Sequence, residues 1–148
     1  MFEKLVAAID SDPDRSVRVI AAAAEMARAF SSEVLVAHVR DLERPAAMVV
    51  TAARAGATAP AIHLESEEEA KQLVDSAVEQ LREVGITAAG KVGPGIGSTA
   101  RELLGIASSF GARLIVIGDR GSHVTDVLLG SVAHRVVHLA DVPVLLVR

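Results

Sequence analysis

The sequence contains no cysteine, no tryptophan and no tyrosine, and only three phenylalanines. Without cysteine the protein has no disulfide bonds, no thiolate chemistry and no thiol-ligated metal, and a cytosolic location is expected on the same ground. Without tryptophan and tyrosine it has no aromatic platform on which unpaired bases could stack. Nucleic-acid binding through stacked bases is therefore not expected.

The charge pattern and the missing motifs exclude further classes. The chain has 15 Lys and Arg against 19 Asp and Glu, a net charge of −4, and its basic residues form no cluster that could follow a phosphate backbone. It has no Gly-Lys-Ser or Gly-Lys-Thr, which excludes a P-loop phosphotransferase. We expect neither a membrane span nor a secretion signal. A soluble globular domain remains, and 148 residues suffice for one core.

Short apolar runs alternate with amphipathic segments along the chain. The runs predict buried parallel strands over residues 5–9, 34–39, 86–92, 114–117 and 143–147. Helices are predicted over residues 13–30, 66–84, 98–110 and 131–140. This spacing predicts one α/β domain over residues 1–148, with an open five-stranded parallel sheet in the order 3-2-1-4-5 and helices on both faces.

Local signals define the first helix and the irregular parts of the chain. Asp12 is a typical N-cap and Pro13 suits the first helical position. Residues 41–64 interrupt the alternation and are interpreted as a long surface connection. The buried face of the first helix is predicted to contain Val17, Ile20, Ala24 and Ala27.

Several clusters with chemical potential are given structural interpretations. His38 is expected to be a buried, neutral, hydrogen-bonded ring, and the acidic residues 65–69 a solvated helix start. The glycine-rich residues 93–97 do not follow the G-x-G-x-x-G spacing and are interpreted as a turn. His134 and His138 have metal-ligand spacing on a helix but are interpreted as a surface pair, so no metal site is predicted.

The last predicted strand is apolar on both faces and lies at an edge of the sheet. Little of the chain remains after Val147 to cover that edge. An exposed edge of this kind invites pairing with another copy. We therefore expect a homodimer formed through Val144 and Leu146.

Two strand ends carry residues suited to a ligand. In the predicted order, strands one and four are neighbours, and they end at Asp10 and at Gly118-Asp119-Arg120-Gly121. Ligands of open α/β sheets bind in the crevice where the strand order reverses. Gly130-Ser131 then opens the last helix, where backbone amides can face an anion. The sequence predicts a phosphate site in this crevice.

These residues resemble the universal stress protein family over nearly the whole chain. Residues 5–10 look like the family's first strand with its terminal Asp, residues 118–121 with 128–132 look like its glycine signature, and residues 142–147 are similar to its closing strand. The resemblance implies an adenine nucleotide alpha-hydrolase-like fold and a homodimer through the last strand. It also implies a non-catalytic stress-response regulator that, in one branch of the family, binds ATP.

The same resemblance implies a set of nucleotide-binding residues. Asp10 would meet the ribose or adenine, and Val39 would pack on the base. ATP, with Mg²⁺ to offset charge, is the implied cofactor, and no catalytic residue is implied. The ribose and phosphate side would be formed by Gly118, Arg120, Gly121, Gly130, Ser131 and Val132.

The chain departs from the family pattern in ways that leave a second function open. Between Gly121 and Gly130 it has eight residues where the family motif has nine, and one residue less in a helical stretch rotates the downstream residues by about 100°. Asp12, Asp14 and Asp126 add negative charge near the phosphate end. The alternative is a dimeric protein-interaction module of the same fold that binds no nucleotide.

Overall fold

The computed structural model describes residues 1–42, 64–119 and 131–148, and the five predicted strands form one parallel sheet. The sheet order is β3-β2-β1-β4-β5, and each neighbouring pair is parallel. This confirms the predicted α/β class and strand order. The strands are β1 (Lys4–Ala8), β2 (Glu33–Val39), β3 (Ala88–Gly93), β4 (Leu114–Gly118) and β5 (Val144–Val147).

Helices cover both faces of the sheet. In the described ranges they are α1 (Pro13–Phe30), α2 (Glu67–Glu83), α3 (Thr99–Phe110) and α4 (Ser131–Leu139). Side chains of α1 and α2 pack in one apolar cluster against one face, and those of α3 and α4 pack in a second cluster against the other. The helices that follow β1 and β4 therefore lie on opposite faces. None of the helices described is long and apolar enough to cross a membrane.

The helix ends follow the capping signals of the sequence. The Asp12 side chain accepts a hydrogen bond from the Arg15 amide at 3.1 Å, with Pro13 in the first turn as predicted. Ser66 and Glu69 form a reciprocal capping box at the start of α2. Each cap satisfies amides that a helix start leaves without partners.

Two details of the predicted elements were wrong. Val17 is 62% exposed, because the buried stripe of α1 is centred near Ser16, Ala23 and Ala27 and Val17 lies about 90° from its centre. The third strand begins at Ala88 rather than at residue 86, because the Ile86 amide donates to the carbonyl of α2's last turn instead of to β2. The predicted connection over residues 41–64 lies, except at its ends, outside the described residues.

Candidate functional site

The carboxyl ends of β1 and β4 lie side by side. Ala8 pairs with Ile117 in the parallel ladder, so Asp10 follows β1 close to the end of β4. The helices α1 and α4 pack on opposite faces of the sheet, so the strand order reverses between β1 and β4. Such a reversal of strand order is where open α/β sheets bind ligands.

Asp10 is held in one orientation by three neighbours. Its Oδ1 accepts a hydrogen bond from the Asp12 amide at 2.9 Å, and its Oδ2 accepts one from Arg15 Nε at 2.7 Å. The Ser16 hydroxyl donates to the Asp10 carbonyl oxygen at 2.8 Å. The Asp10 side chain is still 37% exposed. The carboxylate is thus both oriented and within reach of a ligand.

Arg15 is the cation of this cluster, and sequence analysis missed it. Its Nη2 lies 3.3 Å from Asp12 Oδ2, so the guanidinium bridges two carboxylates, and its side chain is only 13% exposed. The Arg15 amide, and then its guanidinium charge, lower the pKa of Asp12. The only sequence signal for this role is a cation in the first turn of a helix that follows Asp10.

The Arg15 side chain packs against the bare face of Gly118, which is the side where any other residue would carry a Cβ. A Cβ at Gly118 would lie 2.7 Å from Arg15 Cδ, closer still to Arg15 Cγ, and 3.2 Å from Val19 Cγ2. Close approach of the arginine side chain therefore requires glycine at this position. Asp10 and Gly118, both predicted site residues, are brought together through Arg15.

Three of the other predicted site residues lie within the described ranges. Val39 is 6% exposed and belongs to the apolar cluster under α3 and α4, against which Val132 also packs. A Cβ on Gly93 would lie 2.9 Å from Val39 Cγ2, which shows how closely β3 approaches it. Ser131 is the first residue of α4. The predicted residues Arg120, Gly121 and Gly130 lie outside the described ranges.

His38 links the ends of β1 and β2 to Glu65. Its side chain is buried, with Nδ1 3.0 Å from the Ile9 carbonyl oxygen and Nε2 2.8 Å from Glu65 Oε1. A carbonyl oxygen can only accept, so Nδ1 donates, and Nε2 shares a proton with the carboxylate. The predicted burial and hydrogen bonding of His38 are confirmed.

Glu65 was expected to be solvated, and this was wrong. Its side chain is only 15% exposed, because it turns back over the His38 ring and accepts a further hydrogen bond from the Asp41 amide at 3.1 Å. Arg40 Nη2 donates to the Glu65 carbonyl oxygen at 3.0 Å. The next acidic residues, 67–69, are exposed as predicted. Glu65 therefore connects the residues just before α2 to the end of β2 through hydrogen bonds.

The glycine-rich turn after β3 encloses a carboxylate of the chain itself. Glu102 accepts hydrogen bonds from the amides of Gly95 at 3.0 Å and Gly97 at 2.9 Å. Burial opposes ionisation of Glu102, but the amides of Gly97, Gly95 and Ile96 together outweigh it and lower the pKa of the carboxyl. These amides are engaged within the fold, which supports the interpretation of residues 93–97 as a turn.

The two histidines of α4 are exposed and adjacent. His134 Nε2 and His138 Nε2 lie 3.1 Å apart. Across the described ranges no three His, Asp or Glu side chains come together in a way that could hold a metal ion.

Comparison with known proteins assigns the family. The model of the universal stress protein family matches residues 1–148. The chain belongs to the universal stress protein family. Among its relatives in that family, the Universal stress protein YxiE of Bacillus subtilis (strain 168) is 33% identical over a 156-residue alignment that covers 100% of both chains.

Solved universal stress protein structures share the fold. One from Archaeoglobus fulgidus is 25% identical, with a TM-score of 0.70 and coverage of 100% of this chain and 95% of that one. A second, from the same organism and in complex with dAMP, is 26% identical, with a TM-score of 0.68 and coverage of 100% and 98%. The adenine nucleotide alpha-hydrolase-like fold implied by the sequence is thereby confirmed.

Proposed function

We propose that this protein binds an adenine nucleotide in the crevice between β1 and β4 and acts as a regulator without turning the nucleotide over. The observation that carries the proposal is the reversal of strand order beside Asp10, whose carboxylate is oriented and 37% exposed. The Archaeoglobus fulgidus relative in complex with dAMP supports the ligand class.

The proposed contacts follow the chemistry of each residue. The Asp10 carboxylate accepts hydrogen bonds from ribose hydroxyls, and the base lies at the end of β2 beside Val39, of which only 6% is exposed. The glycine motif and the start of α4 bind the phosphates, where unpaired helix amides favour an anion. ATP is the proposed nucleotide, with Mg²⁺ offsetting its charge. The motif residues proposed for this side are Gly118, Arg120, Gly121, Gly130, Ser131 and Val132.

A non-catalytic role fits the charged groups that line the described part of the crevice. Asp10 and Asp12 are both ion-paired with Arg15. A carboxylate that is already paired is poorly placed to take a proton from an attacking water. We therefore propose that nucleotide occupancy, rather than turnover, is the regulatory signal.

Thermal unfolding with and without nucleotide tests the proposal. ATP with Mg²⁺ should raise Tm, since a ligand at 100 times its Kd stabilises the folded state by about 2.7 kcal/mol. GTP should raise Tm less, because its base differs while its phosphates are the same. Release of inorganic phosphate from ATP should stay at the protein-free rate. A Tm that is flat in ATP, ADP and AMP contradicts the proposal.

A double substitution tests the phosphate side. Gly130→Val with Ser131→Ala should weaken ATP binding by about tenfold or more, because it adds a side chain and removes a hydroxyl where the phosphates are proposed to lie. Gly105→Ala is the matched glycine control, since a Cβ there meets nothing within 4 Å. Isothermal titration calorimetry measures both. Unchanged affinity in the double variant would remove these residues from the site.

Within the described residues β5 is the outermost strand of the sheet on its side, and this position favours a second function, a dimeric protein-interaction module. The carbonyl oxygen of Pro143 accepts a hydrogen bond from the Ile115 amide of β4, and that of Val147 accepts one from the Asp119 amide just after β4. Residues of a strand alternate in the direction of their backbone groups, so the amides and carbonyls of Val144 and Leu146 point away from β4. We propose that a second copy pairs along this edge.

Light scattering on a sizing column tests the dimer. Leu146→Pro removes an amide on the outer edge and should give a monomer, while Leu146→Ala removes similar side-chain contacts, keeps the amide and should stay dimeric. A wild type that is already monomeric rejects the pairing. An intact dimer with no response to ATP favours the interaction module over nucleotide binding.

A further inference from the structure

Arg15 joins the two strand ends of the proposed site. Its guanidinium donates to Asp10 Oδ2 at 2.7 Å, while its aliphatic part lies on the bare face of Gly118. The Arg15 side chain is only 13% exposed, so most of it is packed against other residues of the protein. A residue outside the glycine motif therefore contacts both Asp10 and Gly118.

The hydrogen bond from Arg15 leaves Asp10 able to accept further hydrogen bonds. A carboxylate offers about four acceptor positions, two on each oxygen. One position of Oδ1 is used by the Asp12 amide and one of Oδ2 by Arg15 Nε. A position therefore remains on each oxygen, and the half-exposed side chain can present both to solvent. Two adjacent hydroxyls match that pair of acceptors.

Arg15 also balances the charge of this turn. Asp12 and Asp14 stand beside Asp10 in the chain, and Arg15 contacts two of the three carboxylates. Without the guanidinium, Asp10 and Asp12 would repel each other, and Asp10 would lose the one hydrogen bond that holds its Oδ2. The carboxylate would then have to be ordered again each time a ligand bound.

We propose that Arg15 is a positioning residue for ribose recognition, which orients Asp10 to accept the two vicinal hydroxyls of a nucleoside. The inference rests on the proposed nucleotide function and adds to it the part of the ligand that Asp10 and Arg15 recognise. It also gives the reason for glycine at position 118, since any side chain there would displace the Arg15 side chain.

The test compares adenosine with ATP and Mg²⁺ by isothermal titration calorimetry. Arg15→Met keeps an apolar side chain over Gly118 but removes the donors. Both ligands should bind about tenfold more weakly, and by the same factor, because they share the ribose and differ in the phosphates. Arg18→Met, which removes an exposed cation from the same helix, is the matched control and should bind as the wild type does.

A double-mutant cycle with Asp10→Asn separates positioning from direct contact. If Arg15 acts through Asp10, adding Arg15→Met to Asp10→Asn should cause no further loss of adenosine affinity. The inference is overturned if Arg15→Met lowers adenosine affinity further in the Asp10→Asn background. It is also overturned if Arg15→Met alone weakens the binding of ATP only, or leaves the affinity for both ligands unchanged or increased. If circular dichroism shows that Arg15→Met does not fold, Arg15→Leu, which likewise has no donor, replaces it with the same expected results.

The proposed function and this inference fail in different ways. A wild type that binds neither adenosine nor ATP rejects the proposed nucleotide function, and the inference with it. A wild type that binds both ligands, beside an Arg15→Met variant of equal affinity, rejects the inference alone.

Discussion

Replacing Glu102 with Gln should destabilise the protein at neutral pH and have little effect in acid. The Glu102 carboxylate accepts the amides of Gly95 and Gly97 in the turn after β3. Those hydrogen bonds to a charged acceptor lower its pKa in the folded state. A glutamine keeps one carbonyl oxygen, so it preserves one neutral hydrogen bond and loses the charge and the second acceptor.

The expected loss is set by the hydrogen bonds removed. A hydrogen bond to a charged group contributes about 1.5–3 kcal/mol when well buried. Glu102 is partly exposed, so solvent screening reduces that value, and the retained neutral bond reduces the loss further. We expect Glu102→Gln to lower the free energy of unfolding by about 1–2 kcal/mol at pH 7, or Tm by about 3–6 °C.

The pH dependence has a defined sign. Because the folded-state pKa of Glu102 is lowered from its ordinary value of 4.5, the carboxylate contributes its full stabilisation above that value. The contribution is lost as the pH falls through the lower folded-state pKa. The difference between wild type and Glu102→Gln should therefore shrink steadily below about pH 4.5.

Urea unfolding followed by circular dichroism measures this at pH 7 and at a series of acid pH values. Glu25→Gln, on the exposed side of α1, is the control and should change the free energy of unfolding by less than about 0.5 kcal/mol at every pH. A Glu102→Gln loss that is the same at all pH values, or no loss at pH 7, would refute the assignment of these hydrogen bonds to an ionised carboxylate.

Two further predictions concern the turn after β3 and the His38 contact, both measured by urea unfolding. Gly95→Ala should cost about 2–4 kcal/mol, because Gly95 has φ +77 and its new Cβ would collide with the Arg40 carbonyl. Gly85→Ala, with φ +81 but open space, should cost only about 1 kcal/mol, and equal losses would contradict the collision. Glu65→Ala should cost about 2–3 kcal/mol because His38 Nε2 loses its buried partner. Glu65→Gln can still donate to that nitrogen and should cost less than half as much, whereas matching losses would argue against the shared hydrogen bond.

Much of the architecture could be predicted because its signals are local. A stretch that is apolar on both faces, such as residues 34–37 of β2, has to be buried between two helical layers wherever it lies in the sheet. Asp12 before Pro13 starts a helix through contacts within one turn. The strand order could be inferred because βα units with right-handed connections leave few arrangements.

The side-chain network at the site could not be predicted in the same way. Arg15 reaches Gly118 across more than 100 residues of sequence, and Glu65 reaches His38 across 27 positions. Neither contact leaves a periodic signal, since each depends on where a single side chain turns after the elements have packed. The predicted burial of Val17 was wrong for a related reason, because the way α1 packs on the sheet determines which of its side chains are buried.

The alternation of strands and helices and the helix caps can be inferred from the order of the residues, because the hydrophobic period and the capping residues act between near neighbours. The contacts of Asp10 with Arg15 and of His38 with Glu65 depend instead on how the elements pack in three dimensions. These pairs exist because packing brings remote side chains within hydrogen-bond distance, and burial then favours whichever partners satisfy each other.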